Sequence, residues 1–125
     1  MSKQTVHSDR APRAIGPYSQ GIWAGDTLYL SGQLGTDPAT GCLAEGVENQ
    51  THAAMRNIGA ILDAAGLTYD SIVKTTIFVQ DLRDFAKVNE VYASYFAGAY
   101  PARSCVQVAA LPKGGLVEIE CVAMK

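Results

Sequence analysis

Ser71-Ile72-Val73-Lys74-Thr75-Thr76-Ile77-Phe78-Val79-Gln80 is the stretch on which the fold turns. Val73, Thr75, Ile77 and Val79 alternate, which places them on one face of an extended strand. Asp84 then offers a helix N-cap, and Phe85, Val88, Tyr92 and Phe96 recur at helical spacing behind it. Two further β-prone runs close the chain, Ser104 to Ala110 and Leu116 to Met124, joined by Leu111-Pro112-Lys113-Gly114-Gly115 as a hairpin. Working back toward the N-terminus, a long helix is predicted from Val47 to Ala65. Its stripe of Met55, Ile58, Leu62 and Ala65 ends at Gly66, a left-handed stop. Arg10 to Pro17 is a loop broken by Pro12 and Pro17, after which Tyr18 to Trp23 extends and Gly25-Asp26 turns. Thr27 to Ser31 is a strand ending at Gly32, and Gly35 to Gly41 is rich in turn residues. Strand, strand, helix, strand, helix, strand, strand is an α+β order: a mixed β-sheet with two helices on one face.

At 125 residues the chain is expected to form a single domain, residues 1–125, burying roughly two-thirds of its unfolded surface. Hydrophobic residues make up 48% of it, yet no apolar run approaches the roughly 20 residues of a membrane helix. The first seven residues have no signal-peptide character. A net charge of −2 argues against tight binding of a nucleic-acid backbone, which needs a basic face. Cys42, Cys105 and Cys121 form no CxxC pair, and reduced thiols in a cytoplasmic setting are the simplest reading. His7 and His52 lie in unrelated segments without ligand spacing, so no metal site is indicated. Leu30, Val79, Val106 and Val117 offer more apolar strand surface than two helices cover, which points to a homo-oligomer.

Chemistry concentrates near the C-terminus. Arg103 stands at the mouth of a β-prone run, where its planar fork of donors suits a carboxylate or phosphate. If the last two strands form a hairpin, Val106, Val108 and Ala110 face one way with Val117, Ile119, Cys121 and Ala123. Arg103, Cys105, Gln107, Glu118 and Glu120 then gather on the opposite side. Glu118 and Glu120 are about 7 Å apart along their strand, close enough to divide the roles of cation partner and general base. Cys105 has no histidine placed to activate it, so thiol catalysis is disfavoured. Ser31-Gly32 leaves an unhindered backbone for a ligand to approach. Asn89 borders the stripe of the second helix, and Tyr18 follows Gly16-Pro17 as a core ring or a pocket wall.

Six segments, taken together and in order, resemble the Rid family, also called YjgF, of reactive-intermediate deaminases. They are Ala14 to Gln20, Tyr29 to Gln33, Val73 to Thr76, Asp84 to Asn89, Pro101 to Cys105 and Val117 to Glu120. Arg103 and the terminal glutamate place the chain with the RidA branch. The resemblance implies a chorismate-mutase-like fold, a homotrimer with clefts between subunits, and hydrolysis of 2-imino acids to 2-oxo acids and ammonia. It implies that Arg103 holds the substrate carboxylate and Glu118 activates water. Tyr18, Ser31, Gly32, Asn89 and Cys105 would line the pocket, Glu120 would be structural, and no cofactor would be needed. The segment Ala97 to Tyr100 is shorter than in some bacterial members. The competing expectations are an endoribonuclease or translation inhibitor, and a non-catalytic metabolite-binding or chaperone-like trimer. The acidic balance and the lack of a paired histidine argue against the first, and the second charge, Glu118, argues against the second.

Overall fold

A computed structural model describes residues 3–125. Six strands form one sheet: β1 (Gln4–Val6), β2 (Gly21–Ala24), β3 (Thr27–Leu34), β4 (Ile72–Val79), β5 (Ala102–Gln107) and β6 (Val117–Met124). Two helices complete the fold, α1 (Gly46–Ala64) and α2 (Phe85–Ala93). The spatial order is β1-β2-β3-β6-β4-β5, with only the β4–β5 pair parallel. The class is α+β with a mixed sheet, as expected from the order of elements. No helix among the described residues is long and apolar enough to cross a membrane.

The closing hairpin is not formed. β6 inserts between β3 and β4, antiparallel to both, and β5 lies beyond β4 as the edge strand. The reason is the strand–helix–strand unit itself. Two parallel strands need a crossover longer than a hairpin loop, and α2 supplies it between β4 and β5. Residues 108–116 then carry the chain across β4 and into the gap beside β3.

Alternation sorts the sheet into two faces. Thr75, Ile77, Val79, Val117, Ile119, Cys121 and Ala123 are buried beneath the helices. α1 supplies Ala54, Met55, Ile58, Ile61 and Leu62 to the same core, and α2 supplies Val88 and Tyr92. Each fully buried aliphatic side chain contributes about 1.5–3 kcal/mol relative to exposure, so this face holds the fold together. Leu30, Val79 and Val117 belong to that covered face and are not surplus. The open face is mixed: Tyr29 and Val106 are exposed beside Glu120 and Ser104.

Several boundaries differ from the sequence reading. β1 was not anticipated, and β2 begins at Gly21 because Tyr18 and Ser19 remain in the preceding loop. β3 runs on past Gly32 to Leu34 through a bulge. A register shift between Ile72 and Lys74 turns Val73 outward, and Ile72 takes the buried place. Asp84 makes no side-chain cap; Asp81 accepts from the Arg83 backbone N–H at 2.9 Å and starts the turn before α2. α1 does stop at Gly66. With φ of +77°, its N–H reaches Asp63 O at 3.0 Å and the Leu67 N–H reaches Leu62 O at 2.9 Å.

Candidate active site

The strand order decides where the predicted residues go. Arg103 is in register with Thr75, so it projects on the helix-covered face at the sheet edge. Glu118 pairs with Phe78 on one side and Leu34 on the other, which places it on the open face. The two charged groups therefore point to opposite sides of the sheet, with β4 between their strands. The expectation that Arg103, Cys105 and Gln107 would gather with Glu118 and Glu120 is overturned, because it assumed that β5 and β6 are neighbours.

Around Arg103 the site is built from regular structure. Phe85, Asn89 and Tyr92 occupy positions i, i+4 and i+7 of α2, one helical stripe facing the edge strand. Asn89 Oδ1 accepts from Arg103 Nη1 at 2.6 Å. The guanidinium carbon sits 5.4 Å from the Phe85 ring centre and 5.3 Å from that of Tyr92, both within cation–π range. Tyr92 is buried and its hydroxyl meets Thr75 Oγ1 at 2.7 Å. An open cavity of about 480 Å³ lies here, lined by Asn89, Tyr92, Tyr100, Pro101 and Arg103. Gln107 takes a structural part, accepting from the Leu82 N–H at 2.9 Å. Cys105 shares the face of Arg103 but is half-buried against the core and lines neither this cavity nor the one described next. Burial pushes its thiol up, against the influence of Arg103, which leaves a poor nucleophile.

Around Glu118 the site is built from irregularity. Leu30 pairs with Cys121 and Gln33 with Ile119, so Ser31 and Gly32 together oppose the single residue Glu120. That bulge brings the backbone against the carboxylate: a Cβ on Gly32 would stand 2.9 Å from Glu118 Cδ. Ser31 Oγ donates to Ser19 O at 2.6 Å, tying the bulge to the loop that carries Tyr18. Gln20 anchors the same loop, its buried amide donating to Pro12 O at 2.8 Å and accepting from the Ser8 N–H at 2.6 Å. Glu118, Tyr18, Ser31 and Gly32 line a cavity of about 600 Å³, with Arg13 and Lys113 also on its wall. Burial, and then the neighbouring Glu120 carboxylate, raise the pKa of Glu118 above the ordinary carboxylate value.

Each predicted residue except Cys105 thus lines a cavity, but they divide between two. Asn89 and Arg103 share one; Tyr18, Ser31, Gly32 and Glu118 share the other. Phe85 and Tyr92 were read as core stripe and are also the platform of Arg103. The available signal was an asparagine flanked by aromatics at −4 and +3, in a chain with one arginine at a strand mouth.

Fold and geometry define an α+β protein with a guanidinium in a cavity on one face of its sheet and a half-buried carboxylate in a cavity on the other. The Endoribonuclease L-PSP family model matches residues 8–125. A 2-iminobutanoate/2-iminopropanoate deaminase of Bos taurus is 49% identical, over 100% of this chain and 92% of that protein. The crystal structure of YyfA from Yersinia pestis, of the conserved Rid protein family, superposes with a TM-score of 0.97 at 50% identity, covering 99% of this chain and 100% of that one. E. coli TdcF with bound serine has a TM-score of 0.95 at 45% identity, covering 98% of each chain. The chain belongs to this family, the Rid (YjgF) proteins.

Proposed function

We propose that this protein hydrolyses 2-imino acids to 2-oxo acids and ammonia, and that it works as a homotrimer with sites between subunits. The observation that carries this reading is the division of the site. Arg103 with Asn89, and Glu118 with Ser31-Gly32 and Tyr18, occupy separate open cavities on opposite faces of one sheet. Each half lacks what the other holds, and a second copy of the chain supplies it. Deaminase relatives and the serine bound to TdcF favour a ligand with an α-carboxylate. Residues 1–125 act in this reading as one domain, in the cytoplasm, with all three cysteines as free thiols.

The chemistry follows from the two halves. Arg103, held by Asn89 and its aromatic platform, donates two charge-assisted hydrogen bonds to the substrate carboxylate. That fixes the adjacent C=N carbon against the Glu118 half. Glu118 takes a proton from water as its oxygen bonds to that carbon and the C=N π pair moves to nitrogen. Glu118 hands that proton, and then the one left on the attacking oxygen, to the nitrogen; the oxygen lone pair closes to C=O as the C–N bond breaks, releasing ammonia and leaving the 2-oxo acid. Water is the only co-reactant. Burial of Glu118 raises its basicity, which suits proton abstraction near neutral pH. Gly32 keeps the space beside the carboxylate clear, and Tyr18 forms the outer wall.

A threonine dehydratase coupled to lactate dehydrogenase tests the reading, since it reports release of 2-oxobutanoate. The protein is expected to accelerate release, and Arg103→Ala to lose most of the acceleration while remaining oligomeric. No acceleration by folded wild-type oligomer overturns it.

A further inference from the structure

The guanidinium of Arg103 is supported by more than the asparagine it bonds. Tyr92 is 4% exposed and Thr75 is 1% exposed, yet each carries a hydroxyl, and the two hydroxyls meet at 2.7 Å. An all-apolar pair would fill this core position without a polar group to satisfy. The placement of the pair suggests what it does. Thr75 is the β4 residue in register with Arg103 on β5, and Tyr92 reaches from α2 to lie against the guanidinium, 5.3 Å from ring centre to Cζ. Strand, helix and edge strand thereby close a ring of contacts: Arg103 to Thr75 through the sheet, Thr75 to Tyr92 through the hydroxyls, and Tyr92 back to Arg103 through its π face.

Resting on the function proposed above, we propose that Tyr92, braced by Thr75, is a positioning residue for Arg103. The brace fixes the tilt of the Tyr92 ring, and the ring fixes the plane of the guanidinium. Asn89 occupies one nitrogen of that plane, Nη1. Among the described residues Nε and Nη2 make no side-chain hydrogen bond, and Arg103 lines the cavity, so these donors are left for the substrate carboxylate. Tyr92 also lines that cavity, so the brace acts at the point of entry. Burial raises the Tyr92 phenol above its ordinary pKa, so it stays neutral through the working range and the brace does not switch with pH.

The test removes both hydroxyls at once. Thr75→Val with Tyr92→Phe keeps the shapes and strands no buried partner, so the double variant is expected to fold with little change in Tm. Its KM for 2-iminobutanoate should rise about fivefold, with kcat within about twofold, because an unfixed guanidinium weakens capture of the carboxylate. Titration with 2-oxobutanoate should show the same weakening. Backbone-independent order at the Arg103 side chain, measured by ¹⁵N relaxation of its Nε–H without substrate, should fall. Tyr92→Leu removes the platform as well and should raise KM further, to about tenfold or more. A folded double variant with unchanged KM, unchanged 2-oxobutanoate affinity and a rigid Arg103 overturns the assignment. The relaxation measurement needs no turnover, so a wild type without deaminase activity overturns the proposed reaction and leaves the positioning role to stand or fall on its own.

Discussion

The two halves of the site are built by opposite means. On the helix-covered face, Arg103 is fixed by the most regular parts of the molecule: one stripe of α2, one strand in register, one buried hydroxyl pair. On the open face, Glu118 depends on departures from regularity. A bulge at Ser31-Gly32, a proline-broken loop anchored by Gln20, and a turn in which Lys113 adopts φ of +60° all border its cavity. The difference fits the roles proposed for the two groups. A cation that orients a carboxylate works best when held in one plane. A base that receives water and substrate needs backbone drawn aside to let them in, which an unbroken ladder of strands does not allow.

That contrast predicts different failures. The largest effect is expected from Glu118→Gln, which should lower kcat about 10²- to 10⁴-fold while 2-oxo acid binding stays near normal. Weak binding with normal turnover would move the base elsewhere. Stability should not fall. The raised pKa of Glu118 means the fold favours the protonated form, so this group's contribution is lost as pH rises through its folded pKa. At neutral pH the amide should therefore leave Tm equal or slightly higher.

Arg103→Ala is next, with an expected loss of about a hundredfold in kcat/KM, carried mainly by KM. Arg103→Lys should recover little of it, since a point charge does not reproduce the fork. Full recovery by lysine would show that charge suffices and that the aromatic platform has no orienting role.

Gly32→Ala probes the irregular half. Its Cβ would lie 2.9 Å from Glu118 Cδ, and the flexible carboxylate must give way. Normal folding with kcat lowered about tenfold is expected, from misplacement of the base. An unchanged rate would mean that the bulge does not set the carboxylate position.

The smallest effect is a shift in pH profile. As the proposed base Glu118 acts ionised, so kcat/KM should fall as pH drops through its raised pKa. Glu120→Gln removes the neighbouring negative charge and should move this acid limb downward, with little change on the plateau. An acid limb that moves upward would contradict the pairing of the two carboxylates.

The regular half of this molecule was largely legible in the sequence. The stripe Met55, Ile58, Leu62 placed α1, Gly66 ended it, and Phe85, Val88, Tyr92 placed α2. The residues that line the two cavities were legible as types, and Asn89 does meet Arg103. Their mutual facing was not. Alternation tells which residues of a strand share a face but not which strand lies alongside. Short separation between residues 107 and 117 favoured a hairpin that long-range packing refused. The insertion of β6 between β3 and β4 is a non-local choice, and it reversed the relation of Arg103 to Glu118. The bulge at Ser31-Gly32 was read as a strand end for the same reason, since only the partner strand reveals that the ladder resumes at Gln33.

In the proposed trimer, Arg103 of one copy works with Glu118 of another. Co-expression of Arg103→Ala and Glu118→Gln chains, each with about 1% or less of wild-type kcat/KM alone, tests it directly once mass measurement confirms mixed oligomers. Random assembly pairs an intact Arg103 with an intact Glu118 from a different copy in one site of four, so activity should return to about a quarter of wild type. Mixed oligomers as inactive as their parents would contradict the account, because each chain would then have to supply both groups to its own site.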